Sequence, residues 1–153
     1  MAIPQVGEWA PDFELETDSG ETQRLSELRG KRVILYFYPK ADTPGCTTEA
    51  CGFRDDFSSF EDKNAVILGV SPDAVKKQAH FKSKHNLPFP LLADSDHQVA
   101  EMYGVWRLKK MMGREYMGVV RTTFIIDEEG KISHVFEGVK PNVHSGEVLE
   151  ALG

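Results

Sequence analysis

Cys46 and Cys51 are the only cysteines among 153 residues, and they lie five positions apart in Pro39-Lys-Ala-Asp-Thr43-Pro44-Gly45-Cys46-Thr-Thr-Glu49-Ala-Cys51. The segment follows the apolar run Val33-Ile-Leu-Tyr-Phe-Tyr38 and enters a stretch that reads as helix. Thr43 suits the N-cap and Pro44 the first helical position, where its missing N–H costs nothing. Cys46 then falls in the first turn. Backbone N–H groups there lack helical partners and the dipole is positive, which favours a thiolate, the nucleophilic form of the side chain. A second thiol nearby could resolve what the first becomes, so the pattern points to redox chemistry.

The spacing narrows the kind of redox centre. A dithiol exchanger uses Cys-x-x-Cys, and here Thr43 occupies the earlier slot. Helical residues five apart sit ~140° apart around the axis, with Cα atoms roughly 8–9 Å from each other. A disulfide needs Cα atoms within about 7 Å. Cys46 and Cys51 therefore cannot join while the helix is intact. The expected first product is a sulfenic acid on Cys46, which condenses with Cys51 after the first turns unwind. The competing reading is that either cysteine is a small buried hydrophobe. That reading is weaker for Cys46, set between Gly45 and a threonine pair.

The composition bounds the rest. A length of 153 residues suits one domain, 1–153, and 41% hydrophobic with 27% charged residues is ordinary for a soluble protein. A net charge of −6 argues against a nucleic-acid binder and against docking on anionic lipid. The N-terminus shows no signal-peptide pattern, and no apolar run approaches the ~20 residues of a membrane span. A soluble, cytoplasmic protein is the expectation. Two cysteines are too few for a disulfide framework of the secreted kind.

The elements that must position the cysteines follow from periodicity. A short hairpin within Gly7–Glu27 and a helical turn at Ser26–Arg29 open the chain. Arg32–Tyr38 and Ala65–Val70 read as buried central strands, continuous in β-branched and aromatic residues. Helices are expected from Thr43 to about Lys63, from Ser71-Pro72-Asp73 to about His85, from Asp94 through Tyr103, and over His144–Leu152. Phe89–Leu92 reads as a short strand, Trp106–Gly118 as a loop. Val119–Ile126 and Ile132–Phe136 read as a hairpin around a Gly-containing turn. The sum is an α/β protein with a mixed central sheet flanked by helices.

Pro39-x-x-x-Thr43-x-x-Cys46 resembles the active-site signature of the peroxiredoxins. Phe37-Tyr-Pro-Lys-Ala-x-Thr-Pro-Gly-Cys46-Thr-x-x-Ala-Cys51 is similar to the peroxiredoxin Q, or bacterioferritin comigratory protein, branch. The likeness continues through Leu91-Leu-Ala-Asp94-x-Asp96, Tyr103-Gly-Val-Trp106 and Phe124-Ile-Ile-Asp127-x-x-Gly130-Lys131. It implies a thioredoxin-like sandwich and thiol-dependent reduction of hydrogen peroxide and organic hydroperoxides. Cys46 matches the peroxidatic cysteine and Cys51 the resolving one. Pro39 matches the residue that shields the thiol, Thr43 the hydroxyl that binds peroxide, and Arg121 the active-site arginine. Glu49 stands where members carry a polar partner for that network. From the residues alone, Arg121 reads sooner as an exposed edge residue, Glu49 equally as a dipole-stabilising acid, and Pro39 also as a strand end.

The resemblance also implies an external dithiol reductant such as thioredoxin, with no bound cofactor. Both thiols on one chain mean that catalysis requires no dimer, so a monomer or weak dimer is expected. The five histidines are scattered and no four-ligand metal set emerges. Nucleotide-binding glycine signatures are absent. A redox switch using the same disulfide, and a general dithiol exchanger, are the alternative functions; sustained turnover separates the first from an enzyme, and the missing Cys-x-x-Cys speaks against the second.

Overall fold

Strict alternation along Val33–Tyr38 builds two cores, one on each face of a central sheet. The computed structural model describes residues 3–153. The chain runs β1 (Glu14–Thr17), β2 (Thr22–Arg24), a 3₁₀ turn (Leu25–Leu28), β3 (Arg32–Phe37), α1 (Pro44–Asp55), α2 (Phe57–Asp62) and β4 (Ala65–Ser71). It continues with α3 (Val75–His85), β5 (Leu91–Ala93), α4 (Gln98–Met102), β6 (Trp106–Met111) and β7 (Arg114–Val119). It closes with β8 (Thr122–Ile126), β9 (Ile132–Glu137) and α5 (His144–Leu152). Seven strands form one sheet in the order β2-β1-β5-β4-β3-β8-β9, and β6 and β7 form a separate two-stranded hairpin. The β3–β4 and β4–β5 pairs are parallel; β3–β8, β8–β9 and β1–β5 are antiparallel. The sheet is therefore mixed.

Val33, Leu35 and Phe37 point to a core shared with Val99, Ala100 and Tyr103 around α4 and with the N-terminal Phe13 and Leu25. Ile34, Tyr36 and Tyr38 point to the opposite core, covered by Phe53 of α1, Phe60 of α2, Phe81 of α3 and Val148 of α5. Each fully buried aromatic or aliphatic side chain contributes about 1.5–3 kcal/mol. Cys46 belongs to this second core. Among the described residues, no helix is long and apolar enough to cross a membrane.

Several expected elements take a different form, each for a local reason. The helix expected from Thr43 to about Lys63 is broken at Asp56, whose φ of −99° and ψ of 10° leave the helical region. The Asp56 carboxylate accepts the Ser145 hydroxyl of α5 at 2.8 Å, a contact available only once the chain has folded back. The helix expected to open at Ser71-Pro72-Asp73 starts at Val75 with Ala74 as its N-cap. Ser71 ends β4 instead, and Asp73 engages the loop before α1. Asp94 lies four residues ahead of α4, yet its carboxylate accepts the Val99 and Ala100 amides at 3.1 and 2.9 Å. It caps that short helix from outside.

The strand expected at Phe89–Leu92 is shifted to β5, because Pro88 and Pro90 have no N–H for a ladder. The strand expected over Val119–Ile126 is two strand ends separated by Val120 and Arg121. The largest difference is Trp106–Gly118, which forms the β6–β7 hairpin rather than a loop. Both faces of this hairpin meet solvent, so no apolar alternation marks it. Its turn uses Met112 (φ 52°) and Gly113 (φ 79°), the positive-φ pair a type I′ connection requires, but without the Asn-Gly signature.

Tyr36 pairs with Gly69 across β3 and β4, and a Cβ on Gly69 would stand 2.8 Å from the Tyr36 ring and hydroxyl. Because Tyr36 is 0% exposed, its ring has nowhere to move. Gly69→Ala is expected to cost about 1–3 kcal/mol by overpacking, read as a lower urea midpoint under reducing conditions; an unchanged midpoint would refute this account of the β3–β4 contact.

Candidate active site

Thr43 is the N-cap of α1, in extended backbone, with Pro44 at the first helical position. Its hydroxyl does not cap the helix: it donates to the Lys40 carbonyl at 2.8 Å. That leaves the lone pairs of the Thr43 oxygen able to accept a hydrogen bond. The first helical bond runs from the Thr47 N–H to the Thr43 carbonyl at 2.9 Å. The Gly45 and Cys46 amides therefore precede the helical ladder, at the positive end of the helix.

Cys46 is 1% exposed and its thiol is free, as is that of the partly exposed Cys51. Three residues on, Glu49 lies on the same helical face. Arg121, from the crossing between β7 and β8, reaches both. Its Nη1 donates to Glu49 Oε1 at 2.7 Å and its Nη2 to the Cys46 sulfur at 3.3 Å. The close approach depends on Gly45, where a Cβ would stand 3.1 Å from Arg121 Nη2 and 3.8 Å from Pro141. Arg121 retains 16% side-chain exposure, Glu49 none.

These burials set the electrostatics. Burial pushes the Glu49 carboxyl up to about 7, against the downward pull of Arg121. Burial works against the Arg121 charge, but Glu49 and Cys46 outweigh it and hold its value up. Glu49 Oε2 has no partner, consistent with an acid that keeps its proton well above the usual carboxylate range.

The loop that carries Pro39 and Thr43 is held from below by a buried polar chain. The Tyr38 hydroxyl donates to Gln78 Oε1. The Gln78 amide donates to Ser71 Oγ at 2.7 Å and to the Leu92 carbonyl at 3.0 Å. Ser71 donates to Asp73 Oδ2 at 2.7 Å, which also accepts the Ala41 N–H at 2.7 Å. Sequence reasoning missed all four supports. Ser-Pro-Asp carried a signal, but a helix cap explained it equally well. A glutamine on α3 shows its burial only in the fold.

Of the six residues singled out from sequence, Cys46, Glu49 and Arg121 meet in one cluster and Thr43 stands at the head of the same helix. Pro39 is half-buried in the preceding loop, and Cys51 lies along α1 without joining the cluster. His144, read as no site, is buried behind α1: its Nε2 lies 2.7 Å from Thr123 Oγ1 and its ring meets Phe53 edge-on. Among the described residues, no group of three or more His, Cys, Asp or Glu side chains is placed to hold a metal ion.

The AhpC/TSA family model matches residues 6–135. The chain belongs to the peroxiredoxins of that family. Peroxiredoxin Bcp of Bacillus subtilis is 54% identical over 148 residues, covering 97% of this chain and 94% of its own. Peroxiredoxin Bcp of Escherichia coli is 45% identical, with 97% and 95% covered. The solved bacterioferritin comigratory protein of Xanthomonas campestris, trapped with intermediate and ligand in connection with alkyl peroxide reduction, superposes with a TM-score of 0.90 at 34% identity, covering 97% of each chain. The mixed sheet with helices on both faces is accordingly thioredoxin-like, and this peroxiredoxin is an enzyme, a thiol-dependent peroxidase.

The Glu49 environment predicts a pH signature. An unfolded glutamate titrates near 4.5 and the folded one near about 7, so between these values the native state holds a proton that the unfolded chain has lost. That stabilisation is full below about pH 4.5 and is lost as pH rises through about 7. Reduced wild type should therefore lose stability relative to Glu49→Gln between pH 5 and 7.5, in urea titrations run at each pH. Parallel stability curves for the two proteins would refute the raised Glu49 value.

Proposed function

We propose that this peroxiredoxin reduces hydrogen peroxide and organic hydroperoxides through Cys46, that Cys51 resolves the product, and that thioredoxin or a similar dithiol protein completes the cycle. The observation that supports it most directly is the Arg121 guanidinium 3.3 Å from a sulfur in the first turn of α1.

The Cys46 thiolate attacks one peroxide oxygen along the O–O axis. The S–O bond forms as the O–O bond breaks, and the second oxygen leaves as hydroxide or alkoxide. Charge moves from sulfur to the leaving oxygen, where Arg121 and the Gly45 and Cys46 amides meet it. Because the Thr43 hydroxyl already donates to the Lys40 carbonyl, its oxygen can accept a hydrogen bond from the peroxide O–H and orient the substrate. Pro39, half-buried in the loop ahead of Thr43, limits water at the thiol.

The Cys46 sulfenic acid then condenses with the Cys51 thiol, forming the disulfide and releasing water. This step needs the first turns of α1 to unwind. Thiol–disulfide exchange with the reductant restores both thiols. The alkyl peroxide chemistry of the Xanthomonas campestris relative supports a substrate range beyond hydrogen peroxide.

Peroxide consumption with thioredoxin, thioredoxin reductase and NADPH tests the cycle. Cys46→Ser is expected to be inactive. Cys51→Ser should consume one equivalent and stall. Arg121→Met should fall by about 10²–10³-fold, the usual loss for one donor to developing charge. A fully active Cys46→Ser would overturn the reading. A wild type that reacts once and does not turn over would instead make the disulfide a switch.

A further inference from the structure

The β6–β7 hairpin brings to the site a cation that lies outside the cysteine segment. Lys109, in the middle of β6, donates from its ammonium to the Val119 carbonyl at 3.0 Å. The Val120 N–H donates to the Val105 carbonyl at 2.9 Å. These two bonds tie down the stretch that leaves β7, and the next residue is Arg121. Val120 and Arg121 lie outside both β7 and β8, so no strand ladder fixes the backbone from which the guanidinium projects.

The Lys109 side chain is built to reach this place. Its stem crosses β7 over Gly118, where a Cβ would stand 3.1 Å from Lys109 Cδ. Its ammonium lies 6.0 Å from the centre of the Tyr116 ring. Lys109 is half-buried, whereas Lys110 beside it is exposed and pairs only with the exposed Glu115. Burial and the neighbouring Arg121 charge pull the Lys109 ammonium below its usual value, while the Cys46 sulfur pulls it up. Its bond to the Val119 carbonyl places the ammonium two residues along the chain from Arg121. Holding an ammonium beside a guanidinium is unfavourable unless both serve a common anion or a fixed carbonyl.

We propose that Lys109 is a positioning residue for the peroxidase reaction, fixing the Val119–Arg121 crossing so that the guanidinium is held against Cys46. This rests on the roles given above to Cys46 and Arg121. The hairpin thereby holds the Val119 side of the crossing, while the Thr122 hydroxyl of β8 holds the Val120 carbonyl at 2.8 Å from the other side.

The test compares Lys109→Met, Lys109→Arg, Arg121→Met and the Lys109→Met/Arg121→Met pair. Two readouts are used: the rate constant of reduced enzyme with hydrogen peroxide, and the pH profile of Cys46 alkylation by iodoacetamide in a Cys51→Ser background. The groups facing the sulfur in that profile are Arg121, Glu49, Lys109 and the buried phenols of Tyr36 and Tyr38. Lys109→Met is expected to slow the peroxide reaction about tenfold, as small misplacements of a reacting group do. The midpoint of its alkylation profile should rise by about half a pH unit as positive charge is withdrawn. Lys109→Arg, which keeps charge and donor, should stay within about threefold of wild type, and adding Lys109→Met to Arg121→Met should cost less than about twofold.

A purely structural role would lower stability without moving the alkylation midpoint, and that result overturns the inference. So does a full tenfold loss on top of Arg121→Met, since Lys109 would then act independently. A slow Arg121→Met beside a Lys109→Met at wild-type rate overturns this inference alone. An Arg121→Met as fast as wild type overturns the proposed role of Arg121 and this inference with it.

Discussion

One guanidinium with two acceptors organises this site. Arg121 meets the Glu49 carboxyl with one nitrogen and the Cys46 sulfur with another. A buried carboxyl and a buried sulfur on adjacent turns are costly to desolvate unless a partner reaches them. Arginine suits this place because its planar fork presents separate donors at fixed spacing. The arrangement imposes three conditions on α1 and the entry to β8. The rotation of α1 must aim Cys46 and Glu49 inward, the chain must enter β8 so that Arg121 points at α1, and a Cβ at position 45 would press Arg121 Nη2 from 3.1 Å.

The proposed cycle makes opposing demands on α1. Its first turn must be helical to present the Gly45 and Cys46 amides, yet the turns between Cys46 and Cys51 must open before the sulfurs can meet. The contacts along the helix divide accordingly. From Gly52 onward α1 is held by α5: a Cβ on Gly52 would stand 3.2 Å from Ser145 Oγ, Phe53 meets the His144 ring, and Asp56 accepts the Ser145 hydroxyl. This anchor begins immediately after Cys51. The stretch before it is secured chiefly through the Arg121 contacts and Ala50. Conversion of a thiolate to a sulfenic acid removes the charge that Arg121 faces, which weakens the hold on the part that has to unwind.

What is legible in the sequence divides along the same physical lines. Val33–Tyr38 and Ala65–Val70 are readable because both faces of the central strands are buried, leaving continuous apolar runs. The Thr43-Pro44 start of α1 is readable because caps and first-turn prolines are local. The pairing of Arg121 with Glu49 spans 72 residues; no local rule reaches that far, and only the family signature indicates it. The β6–β7 hairpin is hidden because its exposed faces carry Leu108, Met111 and Met117 beside Arg107, Lys109 and Lys110, so polarity does not alternate. Asp56, Asp73 and Asp94 each look like a helix residue or cap. Asp94 does cap α4, whereas Asp56 and Asp73 accept donors brought by folding, Ser145 and Ala41.

The raised Glu49 value follows from burial beside a single guanidinium. The cluster sets the Arg121 guanidinium against a carboxyl that has no side-chain exposure. Burial outweighs the Arg121 attraction because Glu49 has 0% side-chain exposure and an unpartnered Oε2. A neutral Glu49 still accepts a hydrogen bond from Arg121 and so orients the guanidinium without cancelling its charge. Below about pH 7 the protonated acid is a neutral strut that orients the guanidinium toward the sulfur.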